Sequence, residues 1–66
     1  MKFTIEIYAK AGDGSERLLR RTAVSTITPL GARKDARHLL ADWKRRGAKS
    51  ARVLNVRAET IYEVGE

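Results

Sequence analysis

The sequence predicts an α+β fold: a small antiparallel sheet with one helix packed on one face, in the order ββαββ. Three observations predict it. Apolar and polar residues alternate strictly from Lys2 to Lys10, apolar residues recur at spacings of three and four after Pro29, and two β-rich runs follow Gly47. If those last runs formed one continuous strand, the order would be ββαβ. No repeat, linker or low-complexity segment interrupts the 66 residues, so residues 1–66 are expected to form a single small domain.

In the first strand Phe3, Ile5, Ile7 and Ala9 alternate with Lys2, Thr4, Glu6, Tyr8 and Lys10, the pattern of a half-buried strand. Asp13-Gly14 then suits a tight type I′ hairpin, whose two central residues both need positive φ. Centred there, the hairpin sets Lys10 opposite Arg17, Ile7 opposite Arg20, Glu6 opposite Arg21 and Phe3 opposite Val24. Leu18 and Val24 then face the core, but so does Arg20. A shift of one residue admits Leu19 and Ala23 and aims Arg21 inward instead. The second strand is thus apolar on both faces, which calls for a bulge or for a second copy covering an outer face that carries Tyr8 and Leu19.

Thr28 is a good N-cap, and Pro29 is tolerated at the first helical position, where its missing N–H would have no partner. Gly47 marks the helix end. Between them Ala32, Ala36, Leu39, Leu40 and Trp43 form one apolar stripe able to lie on the sheet. Lys44, Arg45 and Arg46 fall in the last turn, where cations complement the helix dipole. Arg52–Val56 and Thr60–Val64 read as a second hairpin, although the polar stretch between them lacks Gly and Pro.

The chemistry on offer is narrow. Without cysteine there is no disulfide framework and no thiolate metal site. His38, the single histidine, shares a helix face with Asp35 and Asp42, a set expected to form ordinary surface pairs rather than a metal or general-base site. Ser15, Ser25 and Ser50 have no second histidine to activate them. Gly12-Asp13-Gly14 joins strand to strand, whereas phosphate-binding glycine loops feed a helix. No catalytic residue, metal or small-molecule cofactor is therefore expected, and the chain is not read as an enzyme. Met1–Lys10 alternates where a signal peptide would need an unbroken apolar run, and no segment nears the roughly 20 apolar residues of a membrane span. A cytoplasmic location without membrane contact is the default expectation.

Charge is the feature with functional content. Residues 17–57 carry nine Arg and three Lys against Asp35 and Asp42, a net +10, while the whole chain is +6. At about 100° per helical residue, Arg33, Lys44, Arg37, Lys34, Arg45 and His38 follow one another around a continuous arc beside the apolar stripe, with Asp35, Asp42 and Arg46 on the opposite flank. Like charges four apart, such as Arg33 and Arg37, disfavour an isolated helix, so an anionic partner would relieve the arrangement.

Two functions of different classes follow. In one, the domain binds nucleic acid weakly and without sequence preference through phosphate contacts from Arg33, Lys34, Arg37, Lys44 and Arg45, extended by Arg20, Arg21, Lys49 and Arg52. In the other it is a protein-interaction or homodimerisation module using the outer sheet face, its charge serving only to keep it dispersed. An acidic protein is a further anionic partner consistent with the charge. Trp43 lies in the apolar stripe and is expected in the core, which leaves Tyr8 and Tyr62 as the candidates for stacking on unpaired bases.

Overall fold

Phe3, Ile5 and Ile7 of β1 (Lys2–Lys10) all face one side of the sheet and are buried, as their alternation requires. The computed structural model describes residues 1–65. β1 is central. It pairs antiparallel with β2 (Glu16–Ser25) on one side and with β3 (Ala48–Leu54) on the other, and β3 pairs antiparallel with β4 (Thr60–Gly65), giving the order β2-β1-β3-β4. The helix α1 (Pro29–Trp43) falls between β2 and β3, so the order along the chain is ββαββ.

The first hairpin differs from the two-residue turn expected. Ala11 N donates to Ser15 O at 2.8 Å, Gly14 N donates to Ala11 O at 3.0 Å, and of the turn residues Gly14 alone has positive φ, at 89°. A three-residue loop closed by a left-handed glycine replaces the I′ turn. Asp13 Oδ1 instead accepts from Ser15 Oγ at 2.7 Å and from Ser15 N at 2.9 Å, bonds that hold its carboxyl below the ordinary range. The longer loop shifts the near end of the hairpin by one residue, so Lys10 faces Glu16 rather than Arg17.

Further along, the pairing is the expected one: Ile7 faces Arg20, Glu6 faces Arg21 and Phe3 faces Val24. The two registers meet at a bulge between them, where Leu19 is the extra residue and Tyr8 faces Leu18. Leu19 therefore packs toward the core with Val24, and Leu18 lies outside, 40% exposed. The expected positions of Leu18 and Leu19 are thus exchanged, because the three-residue loop shifts the pairing by one on the hairpin side of the bulge and the bulge restores it beyond.

Thr28 caps α1, Ala32, Ala36 and Leu40 are buried, and the two alanines let the helix approach the sheet closely over β3 and β1. The α-helix stops at Trp43. Lys44–Arg46 form a 3₁₀ turn that ends on left-handed Gly47, φ 91°, so these cations lie beyond the last α-helical turn. β3 starts directly afterwards, at Ala48 rather than Arg52. Asn55 shapes the second hairpin without Gly or Pro: its Oδ1 accepts from Arg57 N at 2.9 Å and Glu59 N at 3.0 Å, while Ala58 takes φ 63°. The core is thin, with Ile5, Ile7 and Val53 the largest fully buried side chains.

Candidate functional site

Each face of the sheet gathers its own set of arginines. On the outer face, Arg21 Nε donates to Glu6 Oε2 at 2.8 Å and Tyr8 Oη donates to Glu6 Oε1 at 2.8 Å. Arg52 stacks over the Tyr8 ring at 4.5 Å, donates from Nη2 to Glu16 at 2.7 Å and bonds Glu63 through Nε. Burial pushes the Glu6 carboxyl up, but the hydrogen bonds from Tyr8 and Arg21 and the charges of Arg21 and Arg52 outweigh it and leave the group below its ordinary range. The Tyr8 hydroxyl is raised in turn by its bond to Glu6, by burial and by the charge of Glu6. Arg21 and Arg52, expected as extensions of a phosphate-binding surface, both donate to these carboxylates, Arg21 with its side chain 62% exposed.

A shallow depression of about 400 Å³ lies on this face, lined in part by Lys10, Glu16, Lys49, Arg52 and Glu63. Its three cations face two carboxylates, Glu16 and Glu63, both already bonded to Arg52. Tyr8 now neighbours Leu18 rather than Leu19, inside a ring of ion pairs. The apolar pair on this face is therefore Tyr8 with Leu18, which is 40% exposed, rather than Tyr8 with Leu19.

On the helix side, the arc divides. Arg33 is half-buried, its guanidinium 5.0 Å from the centre of the Tyr62 ring and its Nε buried without a hydrogen-bond partner. Lys34, Arg37, Lys44 and Arg45 are exposed, with Arg37 and Lys44 bordering Val64 and Gly65 of β4. Asp35, His38 and Asp42 form no metal-holding group; among the described residues there is none. Among them, too, no helix is long and apolar enough to cross a membrane.

The opposite flank holds what the sequence did not anticipate. Trp43 packs against the core as expected but is half-buried rather than enclosed, and two guanidiniums lie over its ring, Arg46 at 4.5 Å and Arg20 at 5.9 Å. Local geometry explains both. A 3₁₀ turn advances about 120° per residue and brings residue i+3 back over residue i, so Arg46 returns above Trp43 instead of lying beside Asp42. Arg20, paired with Ile7, points to the helix side of β2, a strand with no buried residue because α1 sits over β3 and β1. The signal available in sequence was the Arg20 that faced the core side in the preferred register.

Comparison with family models, with curated proteins and with solved structures gives no match.

Proposed function

We propose that the domain binds nucleic acid weakly and without sequence preference, through phosphate contacts from the solvent side of α1. The observation that carries this reading is that Lys34 and Arg37, three residues apart on α1, are exposed, that Arg37 and exposed Lys44 border β4, and that exposed Arg45 follows in the 3₁₀ turn at the helix end. Such donors contact phosphates and leave base edges unread, hence the absence of sequence preference.

The test is fluorescence anisotropy of a labelled duplex across a salt series. Neutralising three to five phosphates predicts a slope of log affinity against log salt between about −2.7 and −4.5. Arg37→Ala should weaken every sequence alike and flatten the slope by about one. Lys10→Ala removes the same charge from the opposite sheet face and should change the slope much less. Equal effects from the two substitutions, or no binding at low salt, would overturn the reading.

A further inference from the structure

All three rings that could stack on a base carry an arginine, but the arginines differ in what else holds them. Arg52 over Tyr8 is fixed by Glu16 and Glu63. Arg33 over Tyr62 is half-buried with its Nε out of solvent. Arg20 and Arg46 over Trp43 are both exposed, and among the described residues neither has a carboxylate partner within 4 Å. Since both lie over one ring, their guanidinium carbons are no farther apart than about 10 Å, the sum of the two ring distances. At that separation both can meet the phosphates of one strand passing the ring. Arg17 adds a third exposed cation on β2, and half-buried Leu19, Val24 and Leu39 supply apolar surface along the strip that α1 leaves open.

We propose that Trp43 is a stacking platform for a base of single-stranded nucleic acid, with Arg20 and Arg46 turning from its ring to the flanking phosphates. This rests on the nucleic-acid reading above and adds to it a site, a strand state and a mode of contact. A base stacked on an indole outweighs a guanidinium stacked there at a solvent-accessible position, so the exchange is downhill, and the displaced arginines keep their charge in use. A duplex has its bases already stacked on one another and offers Trp43 no free face. An acidic peptide could satisfy the arginines but has no aromatic plane for the ring.

Trp43 is the single tryptophan of the chain, so its emission reports on this site alone. The experiment titrates the protein at low salt with an oligothymidylate, with a duplex of equal phosphate number and with polyglutamate, following Trp43 emission and the anisotropy of labelled strands together. The expected result is quenching by the single strand, binding of the duplex without quenching, and no quenching by polyglutamate. Trp43→Leu should lower single-strand affinity by about tenfold and leave duplex affinity within about twofold. Arg20→Ala and Arg46→Ala should each weaken the single strand and flatten its salt slope by about 0.7. Single-strand binding with unchanged Trp43 emission overturns the stacking site and leaves phosphate binding by α1 intact. Binding of neither nucleic acid overturns both proposals. Quenching by polyglutamate as strong as by the oligothymidylate overturns the site in favour of an acidic protein. The quenching readout uses the unaltered chain, so it stands even if Trp43→Leu fails to fold.

Discussion

Glu6 is 6% exposed, yet both its carboxylate oxygens are engaged, one by Tyr8 and one by Arg21. A buried carboxylate is tolerable only when paired in this way. Its pKa is lowered on folding, so the stability it contributes is present above the ordinary carboxylate value and is lost as pH falls through the lower folded value. Tyr8 works in the opposite sense: its raised pKa contributes stability that persists below the ordinary phenol value and is lost as pH rises through the folded one. Glu6→Gln should therefore cost about 1 kcal/mol near neutral pH, a modest figure because Arg21 stays 62% exposed and solvent screens its half of the pair. The variant should also show a shallower loss of stability than the parent between about pH 5 and pH 3, read from thermal melts at each pH. The sequence already disclosed the Glu6–Arg21 pairing, because it followed from the hairpin register alone. It did not disclose the burial, which depends on Tyr8 and Arg52 folding over Glu6 from two strands.

At the scale of elements, legibility tracks regularity. β1 and α1 were readable because each keeps one period throughout, two residues for β1 and about 3.6 for α1. β2 contains a change of phase at Leu19, so no single register fitted it, and the expectation of apolar residues on both faces was the visible trace of that change. Helix periodicity likewise failed for Lys44–Arg46, where the advance per residue changes, and this concealed the Arg46–Trp43 contact. β3 starts ahead of its β-rich run because pairing with β1 recruits Ala48, Lys49 and Ser50, which have little β-propensity of their own. The bulge makes a direct prediction. Leu19→Ala should destabilise by about 2 kcal/mol, below the upper range for a fully enclosed leucine, while Leu18→Ala on the outer face should cost under about 1 kcal/mol. Chemical denaturation of the two variants checks the order, and the reverse order would place the bulge elsewhere.

For the molecule as a whole, dimensions of 36 × 22 × 16 Å accommodate one helix on one sheet, so the interior is a single layer of side chains. The basic end, with Trp43 and the first hairpin, lies opposite an end where Met1, Ile27, Leu30 and Val56 are exposed. A chain of this length is expected to be stable by only about 3–10 kcal/mol, and losing a buried isoleucine costs about 2–5 kcal/mol. Ile7, with no exposure at the centre of β1, is the severest case. Ile7→Ala should lower the melting temperature by at least about 10 °C, measured by circular dichroism. The hairpin register already divided Arg20 and Arg21 between the two faces, but net charge by segment did not record that Arg52 joins the outer set and Arg46 the inner one.

The two rims of the sheet share a property with consequences for crowding. β2 carries its extra residue at Leu19, and β4 carries one at Ile61, where Leu54 faces Thr60 while Val53 faces Tyr62. Neither rim is therefore a straight row of backbone donors and acceptors. A neighbouring copy arriving rim-first would find its ladder out of step after a few residues, and on the β2 side it would bring Arg17, Arg20 and Arg21 against their own kind. The irregularity that made β2 hard to read thus also guards against fibre growth, keeping a protein with so little interior from extending its sheet through its neighbours.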